Sequence, residues 1–438
     1  MKTIDGVTIR REFFGPLIWS NRLAGYFVPN SDVKAELEKY LLKSTRKISQ
    51  SLFQDLKDLG FDGEKREIIS NQKNRLNAPL EYYFDFTNVC NLRCTHCYNK
   101  NHLGVITMPE KQVTEIINEM YKIGAMRIHL AGGEPTTNIA GLNNYLKTAA
   151  KYGIVTSLAS NGTLFTDEVC EILTNYNLLA VSISLDGYDE ESNSKIRGKD
   201  NFDRAIQGIK KLIEYRNKKN SPTEIFIKPT YTYDTPLEML EKMILLGIKI
   251  GVDGVKFHNP ERCLNHEIGY YGKTKNEYYQ SIIYAYKLRE KYSSQIKVTI
   301  PSNPLINCTE IGIPDLKGCV GAQELITINP DGRITPCLMD DYDLGSYSEW
   351  RSIKKFWDES EKLKKYLGLV QNNKECDGCK LYKQCRGGCQ VRKIVERHKI
   401  DGKDPVCPIN FEPQSTIKPV RHKQKLKHFS VVCVAHSL

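Results

Sequence analysis

The chain has 438 residues, of which 40% are hydrophobic, 26% charged and 9% aromatic. This is a globular profile, long enough for about three domains, and it excludes a disordered or fibrous protein. A net charge of +11 suggests an acidic or anionic partner, although part of the excess sits in "IKPVRHKQKLKH", read as belonging to a solvated basic tail over 413–438.

No apolar run approaches the roughly 20 residues of a membrane helix, and "MKTIDGVTIRREFFG" lacks the layout of a signal peptide. A cytoplasmic location without membrane contact is expected.

Residues 1–75 read as a first unit. "GVTIRREFFGPLIWSNRLAGYFV" gives short strands with turn residues between them. "SDVKAELEKYLLKST" and "SQSLFQDLKDLGFD" follow as two helices with apolar faces and Ser or Asp near their starts. The size suits a winged-helix-like module.

From 76 to 300 strands and helices alternate strictly. "EYYFDFT", "RIHLAGG", "VTSLASNG", "LAVSISLDG", "EIFIKPTYT" and "GVKFHNP" are strand-like, with amphipathic helical runs between them. Six β-then-α units argue for an α/β fold with a parallel sheet and outer helices. Six is fewer than the eight of a closed barrel, which favours an open, partial (β/α)6 barrel. Periodicity alone leaves a doubly wound sheet open.

Beyond 300 regular structure thins and cysteines take over. Of 14 cysteines, nine lie between residues 308 and 433. In a reducing compartment such clustering points to metal ligands rather than disulfides. A segment with few apolar residues is then expected to need metal to fold. Cys170 falls in a helical pattern and reads as buried and inert; Cys263 and Cys433 belong to no motif.

The first cysteine cluster is "CNLRCTHC", Cys90, Cys94 and Cys97. Thiolates at this spacing can wrap one face of an iron–sulfur cube, leaving one iron open to a small molecule. A structural zinc site would normally want four protein ligands, and only His96, inside the loop, and His102 lie nearby.

The run resembles the C-x3-C-x2-C signature of radical S-adenosylmethionine (SAM) enzymes, and later segments extend the resemblance. Gly132, Gly133 and Glu134 stand where the family's "GGEP" segment contacts the methionine amine. Ser160 and Asn161 close the third strand. Ser184 and Asp186 in "SISLDG" stand at the ribose and carboxylate positions, and Arg197 in "KIRG" is similar to a carboxylate-binding arginine. His96 replaces the aromatic residue more often found there and would still offer a flat ring to adenine. The resemblance implies that SAM caps the open iron, and that one electron from the cluster releases a 5′-deoxyadenosyl radical which takes hydrogen from substrate. Glycines at 132 and 133 would let the backbone approach that ligand.

Cys319, Cys337, Cys376, Cys379, Cys385, Cys389 and Cys407, with Gly332 five residues before Cys337, resemble the seven-cysteine SPASM arrangement of peptide maturases. Two auxiliary 4Fe-4S clusters are implied, three clusters in all. By position, Cys376, Cys379, Cys385 and Cys407 would hold the outer cluster, and Cys319, Cys337 and Cys389 the inner one, with Cys308 a candidate fourth ligand. Asp340 and Asp341, just past Cys337, are candidate general bases by analogy with sulfatase maturases.

Residues 1–75 resemble the winged-helix precursor-recognition element, similar to the pyrroloquinoline quinone chaperone. An exposed sheet edge there would accept a leader peptide as an added strand, and Arg10, Arg11 and Arg22 would suit an acidic leader.

The expectation is thus an enzyme that installs a thioether or carbon–carbon crosslink in a ribosomally made precursor peptide, with flavodoxin or ferredoxin as a reducing partner. Two alternatives stay open: oxidation of Cys or Ser to formylglycine, and a non-catalytic iron–sulfur carrier or scaffold. Nucleic-acid binding is disfavoured, because basic residues are scattered and no aromatic-basic stripe occurs.

Overall fold

The computed structural model describes residues 6–23, 25–41, 48–61, 66–69, 75–176, 178–231, 235–258, 275–300, 318–371, 373–380, 382–397, 400–407, 409, 427 and 429–434. Cys263 and Cys308 lie outside the described residues.

Strands β1 (Val7–Glu12), β2 (Gly15–Ser20) and β3 (Gly25–Pro29) form an antiparallel meander. Helices α1 (Ser31–Leu41) and α2 (Gln50–Asp58) follow, and β4 (Arg66–Ile69) pairs parallel with β1. Alternation along the strands assigns each side chain a face. Val7, Ile9, Ile18 and Phe27 bury with Leu37, Leu52 and Leu56 of the helices, whereas Leu17, Trp19 and Tyr26 enter the main core.

Arg10 departs from the role expected of it. It is fully buried, ion-pairs with Glu12 at 2.5 Å and donates to the carbonyls of Ala78 (2.7 Å) and Pro79 (2.9 Å). A guanidinium so committed cannot meet an acidic leader; it fastens the first module to the next domain. Arg22 is exposed and donates to the Lys57 carbonyl at 2.9 Å.

The six expected core strands are present: β5 (Glu81–Phe84), β6 (Arg127–Leu130), β7 (Val155–Ser160), β8 (Ala180–Ile183), β9 (Glu224–Ile227) and β10 (Gly254–Lys256). They pair in parallel and in chain order. That order lacks the reversal of a doubly wound sheet, which favours the open barrel. Between them run α3 (Glu110–Lys122), α4 (Ile139–Lys151), α5 (Asp167–Asn175), α6 (Glu190–Arg197), α7 (Asn201–Lys219) and α8 (Leu237–Ile250), and α9 (Lys275–Lys291) follows β10. The apolar stripe of α3, Val113, Ile116, Ile117 and Met120, shows the helical spacing that buries one face.

The sheet extends beyond the six strands. β11 (Lys297–Thr299) adds a parallel strand beside β10. On the opposite edge β12 (Leu325–Ile328) lies parallel to β5, followed by antiparallel β13 (Arg333–Thr335) and β14 (Gly345–Ser346). The cysteine-rich region therefore shares the barrel's own sheet.

It also packs more than its composition suggested. Helices Ile353–Glu359 and Glu361–Gln371 bury Phe356, Trp357, Leu363 and Tyr366 in the main core. The Trp357 indole donates to the Leu76 carbonyl at 2.8 Å. Metal is not the only thing holding this region.

At the barrel's base, Glu81 accepts from Arg127 (2.6 Å), His129 (2.9 Å) and the Tyr26 hydroxyl (2.5 Å), and Trp19 lies against the Arg127 guanidinium at 5.6 Å. The first module thus seals the end of the barrel where the strands begin.

The stretch expected to be a solvated tail contains β15 (Phe429–Val434), which pairs antiparallel with β3. The first sheet consequently runs β15-β3-β2-β1-β4. Of the Cys433 side chain nothing is described. No described helix is long and apolar enough to cross a membrane.

Candidate active site and cluster sites

The three-cysteine loop leaves the C-terminal end of β5, the end where parallel barrels carry their chemistry. Local bonds fix its path. Asn88 donates to the His102 carbonyl at 2.7 Å and accepts from the Ile106 amide at 2.8 Å, closing the base of the loop. The Thr95 amide donates to the Ile196 carbonyl at 3.0 Å, tying the loop to α6.

Cys90, Cys94 and Cys97 are paired in no disulfide among the described residues and are half-buried. Burial pushes the Cys90 and Cys94 thiols up, and Cys97 to about 11, so stable thiolates here need a cation's compensation.

The Gly132–Gly133 pair lies beside this loop and packs tightly against it. A Cβ at Gly132 would fall 2.6 Å from the Thr87 carbonyl oxygen, and one at Gly133 2.2 Å from that of Val89. The glycines let the turn after β6 pack on the backbone leading into the cysteines. The Gly133 amide donates to Thr87 at 3.0 Å and the Glu134 amide to Val89 at 2.7 Å.

Glu134 joins two segments that the sequence kept apart. One carboxylate oxygen accepts from the Ser160 hydroxyl (2.8 Å), the Thr136 hydroxyl (2.6 Å) and the Thr136 amide (3.1 Å). The other accepts from the Asn161 amide at 2.7 Å, which leaves it room for one more donor, as a methionine amine would be. Asn161 in turn donates to Asn91 of the cysteine loop at 2.8 Å.

Asp186, just past β8, is buried and its carboxylate meets His96 at 3.0 Å and Arg197 in a short ion pair, while accepting from the Thr230 amide at 2.6 Å. Burial alone would raise its pKa, but Arg197 and His96 outweigh that and hold it well below the usual carboxylate range. The Arg197 guanidinium also reaches the Cys94 sulfur at 3.7 Å. Asp186 therefore orients the ring and the guanidinium instead of presenting itself. The His96 Nδ1 is buried without a hydrogen-bond partner among the described residues, a position a purine nitrogen or hydroxyl could fill. Ser184 is half-buried on the same strand end, its amide bonded to the Ser160 carbonyl at 2.9 Å.

Three basic residues of the lumen were not singled out from sequence. Lys228 follows β9, Lys256 ends β10 and His258 follows it. Burial, with Arg197, pulls Lys228 down to about 8; burial, with Lys228, pulls Lys256 down to about 7. Burial with Lys228 and His96 lowers His258. A lysine or histidine at the end of a core strand was the available signal.

In the cysteine-rich region Cys376, Cys379, Cys385 and Cys407 line a single cavity, the four grouped by resemblance. Cys319, Cys337 and Cys389 form a second group, with Cys319 and Cys389 both acting on the buried Cys337 thiol. Lys393 is fully buried, and its ammonium has no hydrogen-bond partner among the described residues. Burial lowers its pKa, while Cys319, Asp404, Cys389 and Cys376 favour its charge, so it faces the buried Asp404 carboxylate as well as members of both thiol groups.

Asp340 and Asp341, expected as general bases, have other partners. Asp340 is 3% exposed and accepts from the Tyr366 hydroxyl (2.7 Å) and the Tyr342 amide (3.0 Å). Asp341 lies 3.0 Å from His102 and 3.6 Å from Arg333, bridging the β13 hairpin to the cysteine loop. Burial pushes the Asp340 carboxyl above its ordinary value, while the Tyr366 and Tyr342 hydrogen bonds pull the other way.

Residues 84–243 match the Radical SAM superfamily, and residues 319–390 match SPASM, an iron-sulfur cluster-binding domain. Together these domains imply 4Fe-4S clusters and SAM. Mycofactocin maturase MftC of Mycolicibacterium smegmatis is 23% identical over 352 residues, 78% of this chain and 85% of that one. PqqA peptide cyclase of Bradyrhizobium diazoefficiens is 23% identical over 369 residues, 76% and 87% of the two chains. Among solved structures, SuiB of Streptococcus suis bound to its precursor peptide SuiA has a TM-score of 0.73 at 18% identity, covering 93% of this chain and 100% of that one. With SAM bound, SuiB scores 0.69 at 19% identity over the same shares.

Proposed function

We propose that this chain, an enzyme carrying a radical SAM domain and a SPASM domain, installs a thioether or carbon–carbon crosslink in a ribosomally made precursor peptide. The carrying observation is the convergence at one barrel mouth of the three-cysteine loop, the Glu134–Ser160–Asn161 network and the Asp186–His96–Arg197 group. A carrier or scaffold would have no need of the last two. That MftC is named a maturase, the PqqA enzyme a peptide cyclase, and SuiB is solved with a precursor peptide supports a peptide substrate.

In this reading Cys90, Cys94 and Cys97 hold one 4Fe-4S cluster; Cys376, Cys379, Cys385 and Cys407 hold a second; Cys319, Cys337 and Cys389 hold a third, with Cys308 a candidate to complete it. When bound, cluster and SAM supply hydrogen-atom abstraction. The protein's part is placement. Glu134 receives the methionine amine, Arg197 its carboxylate, and His96 the adenine, while Gly132 and Gly133 keep the turn close to the cysteine loop. After the hydrogen-atom abstraction, closing a crosslink releases a proton and one electron: Lys228 and His258 are bases the lumen offers for the proton, and a cluster held by Cys319, Cys337 and Cys389 would take the electron. A flavodoxin or ferredoxin would supply the electron.

The first module would recognise the leader. Arg10 being buried, recognition rests on the sheet edge and not on that charge. The test is anaerobic co-expression with each short open reading frame found beside this gene, followed by mass spectrometry. A product lighter by two hydrogens per link and resistant to thiol alkylation or sequencing at the linked residues is expected. A product that reacts as an aldehyde points to formylglycine instead. Unmodified peptide with no 5′-deoxyadenosine formed overturns the proposal.

A further inference from the structure

We infer that the outer edge of β3 is a strand-acceptor site which this chain closes with its own residues 429–434, so that an incoming peptide must displace β15 to bind there. The inference rests on the proposed peptide recognition by the first module and adds a gate to it.

A meander of three strands leaves two open edges, each with unpaired amide and carbonyl groups that seek a partner. One edge is taken by β4 along β1. The other is taken by β15, paired Phe429↔Pro29, Ser430↔Val28, Val431↔Phe27, Cys433↔Tyr26 and Val434↔Gly25. This partner arrives from the far end of the sequence, not from the module.

The attachment has the form of a replaceable strand. β15 pairs along one edge only, and the ladder shifts register between Val431 and Cys433. Asn30 Nδ2 also donates to the Lys427 carbonyl at 3.0 Å. By contrast β2 is paired on both sides, to β1 over six residues and to β3.

The occupant also describes the partner that would replace it. "FSVVCV" is a short apolar run rich in β-branched residues, the composition of a strand. Main-chain bonds supply most of the affinity in strand addition, and side chains alternate over the edge, so an extended peptide of similar character competes for the same groups. Because β15 is covalently tethered, it competes at a high effective concentration. Apparent affinity for a peptide in trans falls by the fraction of molecules with the edge free.

The experiment uses the full-length protein and a fluorescein-labelled synthetic peptide of residues 427–436, read by anisotropy. Ser430→Pro combined with Val431→Pro removes at least one ladder amide, since successive strand amides point to opposite sides. The expected result is binding at least about tenfold tighter to the proline variant than to the wild type. Equal binding to both overturns the inference. Hydrogen exchange of Gly25–Val28 guards against a misfolded variant. Protection there should fall in the variant and return when the peptide is added, with α3 to α5 unchanged; protection unaltered by the prolines overturns the inference on its own. The leader segment of a precursor that the co-expression test shows to be modified, tested on the same two proteins, separates the two readings. A leader that binds both equally overturns the gate and leaves recognition standing, whereas one that binds neither overturns both.

Discussion

The two ends of the barrel each hold a buried carboxylate gripped by one arginine and one histidine. At the base, Glu81 opens β5 and meets Arg127 and His129; at the mouth, Asp186 follows β8 and meets Arg197 and His96. In both, burial alone would raise the carboxyl pKa, and the arginine, with the histidine beside it, instead holds it far below the ordinary range. The surroundings differ. Tyr26 and Trp19 of the first module close over the base, whereas the mouth keeps a buried ring nitrogen without a partner and sends a guanidinium to a cysteine sulfur. The same chemistry serves as a seal where it is covered and as a mount where it is left incomplete.

If the base is a seal, removing its carboxylate should be the most damaging change. Glu81→Ala strands Arg127, His129 and the Tyr26 hydroxyl together, at a cost of about 3–5 kcal/mol. Chemical denaturation of the anaerobic protein should show this as an earlier midpoint. A midpoint within error of wild type breaks the comparison.

A second buried acid sharpens it. Asp85, past the end of β5, accepts from the Ala131 amide at 2.8 Å and has no cationic partner among the described residues; burial pushes its pKa up to about 7. The folded protein then binds more protons than the unfolded chain between about pH 4 and pH 7, so this group costs stability as pH rises through that window. Asp85→Asn keeps the acceptor and removes the titration. Relative to the variant, wild type should lose about 3 kcal/mol between pH 5 and pH 8. Parallel stability curves across that range contradict the reading. Glu81 and Asp186 have the opposite sign: their stabilisation is complete above their unfolded values and is lost only in strong acid.

The smallest effect is expected at the mouth. Asp186→Asn should leave the iron content intact and weaken SAM binding by about tenfold, roughly 1.4 kcal/mol, because the ring and guanidinium lose their mount but not their place. Equilibrium dialysis reads it. Unchanged affinity would return Asp186 to a purely structural role.

Much of this was legible in the sequence where a single periodicity or a single loop carried the signal. Six strands showed because β-branched runs ended at turn residues, and the cysteine loop showed because its ligands are contiguous. Grouping of Cys376, Cys379, Cys385 and Cys407 around one cavity agrees with the spacing. What escaped was long-range. β11 and β12 are three and four residues long and exist by pairing with distant strands. The helical spacing of Phe356, Trp357, Leu363 and Tyr366 was present but overshadowed by the cysteines around it. Arg10 looked like a surface charge because nothing local reveals the carbonyls of Ala78 and Pro79. β15 was hidden behind a basic run, and its partner lies at the opposite end of the chain.

The central claim is that the loop at 90–97 supplies three thiolates to a cube and leaves the remaining iron for SAM. Electron–nuclear double resonance on the dithionite-reduced protein, with SAM carrying 15N at its amino group, tests this directly. A coupling between that nitrogen and the cluster is predicted, unchanged in a His96→Phe variant. No coupling from the labelled amine, with a protein nitrogen signal that disappears in His96→Phe, would show the position filled by the chain itself and contradict the account.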